Sequence, residues 1–360
     1  MLDSHYNLSE PTVALLVNSL QSGGTEKQSV FLFNVLKNKY KTIFIIFHGD
    51  LIDENMLKLI DSNNYQLVKL RGNGLYKVRI LYNILKNNRV SILFTYLTKP
   101  NFLGGIIGKL AGVKEIFGGI RSTKFPIWKS ILEKMIMRFF TSGTIFNSFL
   151  AEDKFSKELK AKKSIVIPNC FPFVKKVTIR PQKQNITIIS VGRFHESKDY
   201  VTAIRAVGLA VEKYSNLKYQ IIGYGKLEPT IKEWINEFNL NDKIELLINP
   251  SNISELLDKA DIYLSTSKYE GTSNSIMEAM NASLPIVATN VGDNNRLVHQ
   301  GKSGYLHDTG DYKNISNSLL ILINNYESRI KLGIESNVIL KENYSYEKFE
   351  NSYIELIEGK

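Results

Sequence analysis

Glu270 and Glu278 are separated by seven residues in Y-E-G-T-S-N-S-I-M-E-A-M, residues 269–280. The stretch follows A-D-I-Y-L-S-T-S, an alternating run that reads as a strand ending near Thr266. Glu270 therefore falls in a loop after a strand, and Glu278 about one turn into the next helix. A carboxylate in such a loop accepts hydrogen bonds from hydroxyls. Gly271 lets backbone amides come close to a ligand, and Thr272, Ser273, Asn274 and Ser275 are all of the small polar kind that caps a helix. The amides and dipole at that helix end favour phosphate. Glu278 shares a helix face with Asn274 and Ser275 and is placed to grip a second polyol such as a ribose. Carboxylates facing hydroxyls and amides facing phosphates describe a nucleotide sugar. The bland alternative is a solvated loop.

Three further stretches carry the same logic. S-V-G-R-F-H-E-S-K-D (190–199) is a strand running into a loop and a helix, with Arg193 and Lys198 at its mouth. Arginine offers a planar fork matched to phosphate oxygens and lysine a mobile point charge, a pair suited to a diphosphate. Its alternative is a solvated pair beside Glu196 and Asp199, and His195 reads as exposed. Q-S-G-G-T-E-K-Q (21–28) puts Gly23 and Gly24 between a first strand and a helix, where a ligand can approach without meeting a β-carbon. It lacks both G-x-G-x-x-G and a Walker lysine. I-I-G-Y-G-K-L-E-P (221–229) adds Gly223 at another strand exit.

These residues need a frame that brings strand exits together. From T-V-A-L-L-V-N-S-L and K-T-I-F-I-I-F-H-G onward, strands that are apolar throughout alternate with amphipathic helical stretches, the pattern of a parallel sheet covered on both faces. The rhythm breaks over 168–184, which holds three prolines, and restarts at I-T-I-I-S-V-G-R-F. The expectation is an α/β chain of two Rossmann-like doubly wound domains facing across a cleft, with ligands beyond the strand C-termini. The expected boundaries are 1–172 for the first domain, 173–184 for a linker, 185–336 for the second domain, and 337–360 for a C-terminal helical segment.

At 360 residues there is room for two domains, and 43% hydrophobic with 22% charged residues is an ordinary globular balance. One cysteine, Cys170, excludes an intrachain disulfide and a cysteine cluster for zinc. No run approaches the length of a spanning helix, and the N-terminus lacks the order of a secretion signal. The net charge of +11 is uneven: residues 1–172 hold 24 Lys and Arg against 12 Asp and Glu, while the remainder is almost balanced. The first half thus faces something anionic, or its lysines simply reflect surface composition.

Taken in order, these motifs resemble the retaining GT-B glycosyltransferases of family 4, whose E-x7-E motif corresponds to Glu270 and Glu278. V-G-R-F with Lys198, the S-G-G loop at 22–24, I-P-N-C at 167–170 and the tail Y-S-Y-E-K-F-E-N-S-Y add to the likeness, which covers nearly the whole chain. The resemblance implies that Arg193 and Lys198 hold the donor diphosphate and that Glu270 binds the sugar, these three being the catalytic set. It further implies that Glu278 binds the ribose, that amides of 271–275 contact sugar and phosphate, and that the loop near 247–252 touches the base. The resemblance implies that 1–172 is a Rossmann-like acceptor domain, that 185–336 is the nucleotide-sugar domain and that the helix of 337–360 crosses back to the first domain; Gly23 and Gly24 would close the site from that first domain. No resident metal or other cofactor is expected, and no D-x-D motif occurs. Where many relatives have a histidine, this chain has Arg121 in G-G-I-R-S-T, either an extra cation for phosphate or an anionic acceptor, or a surface arginine. E-G-T-S replaces the usual E-G-x-P.

The expected reaction moves a hexose or N-acetylhexosamine from a UDP sugar to a hydroxyl of a surface glycan or lipid-linked saccharide, as in O-antigen or capsule polysaccharide biosynthesis. Rival readings are a nucleotide-sugar epimerase of the same fold and a non-catalytic basic membrane- or nucleic-acid-binding module. Five scattered histidines disfavour the epimerase, and the lack of interleaved aromatic and basic residues disfavours nucleic acid. K-F-P-I-W-K-S-I-L-E-K-M-I-M-R-F-F (124–140) is basic and apolar at helical spacing. Trp128, Lys129, Ile131, Lys134, Met135 and Arg138 either meet an anionic membrane or pack on the first sheet. Peripheral attachment at the cytoplasmic face of the cell membrane is the expectation.

Overall fold

The protein is described here by a computed structural model covering residues 10–21, 23–60, 66–121, 126–159 and 163–359. It divides into two compact units, residues 1–170 with 346–360, and Phe171–Ser345.

The first unit runs β1 (Val13–Val17), α1 (Gly24–Leu36), β2 (Thr42–Ile46), α2 (Glu54–Lys58), β3 (Gln66–Lys69), α3 (Gly74–Asn87), β4 (Ile92–Tyr96), α4 (Thr98–Ala111), β5 (Glu115–Ile120), α5 (Ile127–Phe139), β6 (Gly143–Phe146), α6 (Phe149–Leu159) and β7 (Ser164–Val166). Its seven strands lie in the order β3-β2-β1-β4-β5-β6-β7, and every paired neighbour is parallel. Every residue of β1, β2 and β4 is buried, which explains their unbroken apolar runs: helices cover both faces. One face packs Leu15, Val17, Phe44 and Phe94, the other Ala14, Leu16, Ile43 and Leu93. Each of these side chains larger than alanine, fully removed from water, contributes about 1.5–3 kcal/mol.

The second unit runs β8 (Ile186–Val191), α7 (Tyr200–Lys213), β9 (Leu217–Gly223), α8 (Glu228–Glu237), β10 (Ile244–Ile248), α9 (Ile253–Lys259), β11 (Ile262–Ser265), α10 (Asn274–Asn281), β12 (Ile286–Thr289), α11 (Asn294–Leu297), β13 (Gly304–His307), α12 (Tyr312–Asn324) and α13 (Tyr326–Asn343). Its sheet order, β10-β9-β8-β11-β12-β13, repeats the doubly wound pattern of the first. In each sheet the order reverses beside the first strand, so β1 and β4, and β8 and β11, flank a switch point where ligands of such sheets bind. Residues 173–184 form no helix or strand and run along the second unit. There Arg180 donates to the carbonyls of Leu257, Ala282 and Ser283, the last turns of α9 and α10.

Finally α14 (Tyr346–Glu358) packs with the first unit. Phe349, Tyr353 and Leu356, spaced three and four apart, enter the core shared with Phe94 and Phe117. The Tyr353 and Tyr96 hydroxyls meet at 2.9 Å, so the one polar atom each brings inside is paired. Cys170 is buried in this core; its carbonyl accepts from Gln28 Nε2 and its amide donates to Gln28 Oε1, both at 2.9 Å. Burial pushes its thiol pKa up, so it is no nucleophile.

Candidate active site

The site in the second unit is built at the exits of β8 and β11. After Val191 the chain turns through Gly192 and Arg193 and forms a single 3-10 turn, Glu196–Lys198. Asp199 follows in the left-handed region at φ 49°, and α7 starts behind it. A non-glycine residue in that region needs support. Thr202 Oγ1 donates to the Asp199 carboxylate at 2.7 Å, and Thr266 Oγ1 donates to the carbonyls of Lys198 and Asp199 at 3.0 and 2.9 Å. Thr266, just beyond β11, thus holds the β8 loop from the neighbouring strand. The Lys268 amide adds a second tie, donating to the Ser197 carbonyl at 2.7 Å.

These ties deliver Lys198 to Glu270. Their charged groups meet at 2.5 Å, and Glu270 Oε1 also accepts from Ser267 Oγ at 2.7 Å. The side chains are 20% and 16% exposed, so the pair is withdrawn from bulk water without being sealed. Behind them lie three buried tyrosines. Burial raises the Tyr263 phenol above its ordinary pKa; the charges of Glu278 and Glu270 push the same way, and a hydrogen bond from Ser275 opposes them. Both ends of the sequence motif thus push the same phenol in one direction, behind burial. Tyr200 is also raised first by burial and lastly by Glu270. Tyr219 is raised by burial and bonds Ser190 at 2.7 Å.

Glu278 is the fifth residue of α10, half-buried beside Asn274 and Ser275. Ser273 is the N-cap but makes no side-chain cap; its Oγ lies 3.2 Å from Ser275 Oγ. Thr272 and Ser273 are buried, and Gly271 is half-buried. Gly292, at φ 59°, lets the β12 loop close against this turn: a β-carbon there would meet the carbonyls of Glu270 and Gly271 at 2.5 and 2.7 Å. Gly223 does the same on the other side, where a β-carbon would overlap the Gly192 carbonyl. Arg193 is exposed in the β8 loop, and exposed His195 uses its ring to cap the 3-10 turn. Asn249, in the loop near 247–252, donates its amide to the Gly223 carbonyl at 2.9 Å.

In the first unit, Gly23 precedes α1 as its N-cap, with extended backbone at the exit of β1. Gly24 opens the helix, while Ser22 lies outside the described residues. Arg121, just past β5, stacks on the Tyr96 ring at 4.6 Å and donates to Asn169 Oδ1 at 2.9 Å. Its Nε is buried with no hydrogen-bond partner among the described residues. A cavity of about 250 Å³ at the β1 and β2 exits is lined by Gln21, Asp50, Leu51, Ile52 and Asp53. On α5, Trp128, Ile131 and Met135 are 67%, 54% and 51% exposed. Arg138 is exposed beside them, Lys129 and Lys134 half-buried, and Ile136 and Met137 turn into the core.

Sequence spacing foresaw neither the Lys198–Glu270 contact nor the supporting hydroxyls of Thr266 and Ser267. Their signal was position: all lie within a few residues of two strand exits that become neighbours only through the sheet order.

Residues 174–337, within the second unit, match the family described as glycosyl transferases group 1. HepE from Anabaena, solved in complex with UDP, aligns with a TM-score of 0.83 over 97% of this chain and 100% of that one, at 16% identity. The fold is GT-B. Among curated relatives, an uncharacterized glycosyltransferase of Haemophilus influenzae is 27% identical over 166 residues, 46% of this chain and 47% of that protein. The chain therefore spans about half the length of that relative. The UDP-Gal:alpha-D-GlcNAc-diphosphoundecaprenol alpha-1,3-galactosyltransferase of Escherichia coli is 24% identical over 312 residues, 78% of this chain and 79% of that one.

Proposed function

We propose that the protein is a retaining, hexosyl-type glycosyltransferase of family 4 that takes its sugar from a UDP donor. The observation that carries this is the Lys198–Glu270 pair, set with Glu278 and the start of α10 at the switch point of the second sheet. Lys198 and Glu270 form a charge-assisted hydrogen bond. On donor binding, the ammonium turns to the diphosphate and the carboxylate to the sugar hydroxyls, so each exchanges one charge-assisted bond for another. Arg193, exposed at the same exit, joins Lys198 on the diphosphate, and the α10 N-terminus adds its dipole. Positive charge gathered there stabilises the leaving UDP as its bond to the anomeric carbon breaks. The acceptor hydroxyl attacks on the face the leaving group vacates, and the departing phosphate oxygen takes its proton. In this scheme the anomeric configuration is retained and neither a protein nucleophile nor a resident metal is required. Glu278 holds the ribose, and Gly223 lets the β9 exit close against the Gly192 carbonyl beside the donor site.

The acceptor we propose is a hydroxyl of a growing surface glycan or a lipid-linked saccharide. Support comes from the excess basic charge of residues 1–172, from the exposed apolar and basic side chains of α5, and from the lipid-diphosphate acceptor named for the Escherichia coli relative. Among the described residues no helix is long and apolar enough to cross a membrane. Attachment at the inner face of the cell membrane would then be peripheral, through α5.

The test is release of UDP from a panel of UDP sugars, without acceptor and then with lipid-linked saccharides. Slow hydrolysis accelerated by one acceptor, with an α-linked product from an α-linked donor, is the expected result. An inverted product would remove the retaining assignment, and no turnover of any nucleotide sugar would leave the binding-module alternative.

A further inference from the structure

At the C-terminal edge of the first sheet, three basic side chains from three separate elements converge. His48 lies two residues beyond β2, Lys99 is in the first turn of α4, and Lys77 comes from the first turn of α3. Lys99 Nζ lies 2.9 Å from His48 Nε2. An ammonium can only donate, so Nε2 is the acceptor and the ring proton sits on Nδ1. The Phe47 ring, edge-on to His48 at 5.1 Å, carries both lysines, with Lys99 Nζ 4.8 Å and Lys77 Nζ 5.4 Å from its centroid.

The charges are not balanced from within. Among the described residues neither Lys77 nor Lys99 has a carboxylate at ion-pair distance, although Lys77 is only 6% exposed. Asp50, the nearby carboxylate, is engaged by Arg71 at 3.4 Å. Burial, then Lys99, then Lys77 hold the His48 imidazole below its ordinary pKa, against a smaller opposite pull from Asp50. The protein has thus concentrated cations where they repel. Leu97, the residue before α4, gives the helix no side-chain cap, and the start of this 14-residue helix, its dipole positive, lies beside Lys99 and His48.

We propose that His48, Lys77, Lys99 and the α4 N-terminus form a phosphate-binding subsite of the first unit, separate from the donor diphosphate contacts in the second. Its ligand is a phosphate or diphosphate group; that this group belongs to the acceptor rests on the transferase assignment above. Lys99 Nζ and the backbone amides of Thr98 and Lys99 would bind the oxygens directly, since Pro100 has no N–H and the Asn101 amide already donates to the Leu97 carbonyl, and the His48 Nδ1 proton would supply a further donor. Lys77, largely buried, would contribute charge from below.

The experiment is calorimetric titration of the full chain with sodium pyrophosphate in saturating UDP, which occupies the donor contacts. Wild type is expected to bind pyrophosphate, and Lys99→Ala and His48→Ala to weaken it about tenfold each, while UDP affinity stays unchanged. Lys99→Gln, which keeps the side chain's length and loses its charge, should behave like Lys99→Ala. A parallel arm measures binding to phosphatidylglycerol vesicles. A loss confined to that arm assigns the subsite to a lipid headgroup. Equal binding by wild type and both Lys99 variants in both arms overturns the proposal. Failure to bind UDP would instead count against the donor assignment and leave the comparison of pyrophosphate affinities intact.

Discussion

Lys198 and Glu270, 72 residues apart in the chain, meet at 2.5 Å because β8 and β11 are neighbours in the second sheet. The two roles we propose for them, a cation for phosphate and a carboxylate for hydroxyls, would therefore be coupled through one ion pair. Coupling makes a specific kinetic forecast. Lys198→Ala and Glu270→Gln should each lower transfer by about two to three orders of magnitude. The double variant should be hardly worse than the poorer single one, because the first loss already disables the unit. Initial rates of UDP release for the four proteins check this; strictly multiplicative losses would mean independent roles. Both singles should stay folded, since an ion pair with this exposure is a small part of a total stability of about 5–15 kcal/mol.

Gly292→Ala should damage the same site without touching a charged group. At φ 59° alanine is strained, and its β-carbon would press on the Glu270 and Gly271 carbonyls. The expected cost is about 1–3 kcal/mol of unfolding free energy, read from the urea midpoint. Transfer should fall with it, because the turn that carries Glu270 must shift. Wild-type stability and activity in this variant would show that the β12 loop has room to give.

How far the sequence alone reaches can be judged from these residues. Strands such as β1 and β8 are legible because burial on both faces forces an unbroken apolar run, and loops such as 190–199 and 269–275 are legible because glycine and small polar residues collect where strands end. The fold follows from that alternation. Distance across the sheet does not. Thr266 supporting Lys198, Gly292 clearing the Glu270 carbonyl, and Lys99 reaching His48 all depend on which strands lie side by side, a non-local fact with no local spacing to betray it. The side-chain cap open to residues 272–275 shows a finer gap: four residues were suited to it, and Ser273, which holds the N-cap position, turns its hydroxyl toward Ser275 instead.

Glu133 should set a pH dependence in the first unit. It is 3% exposed on α5, and Asn101 Nδ2 donates to its Oε2 at 3.2 Å, but burial still holds its carboxyl above the usual carboxylate range. A raised folded pKa means the native state keeps a proton the unfolded chain has released. Stability is then full below the ordinary value, falls as pH rises through the window up to the folded value, and levels off above it. Glu133→Gln keeps the acceptor for Asn101 and removes the ionisation. Its urea midpoint should match wild type near pH 4 and exceed it at pH 8. A gap that is constant with pH would mean that the Glu133 carboxyl titrates alike in the folded and unfolded chains, and that burial does not shift it.

The exposed face of α5 yields the forecast for attachment. Trp128, Ile131 and Met135 lie on the outer side of the helix, while Ile136 and Met137 anchor it to the first unit. Transferring the exposed parts of those three outer side chains, a little over half of each, from water to the acyl boundary returns about 1–2 kcal/mol each. Lys129, Lys134 and Arg138 add attraction to anionic headgroups that is screened at high salt. Replacing Trp128, Ile131 and Met135 by serine should leave the melting temperature near wild type, because each is already more than half exposed. Sedimentation with phosphatidylglycerol vesicles should fall by at least an order of magnitude, and wild-type binding should weaken as salt rises. If the triple variant folds normally and partitions as before, α5 is not the membrane contact and its outer face serves only as protein surface.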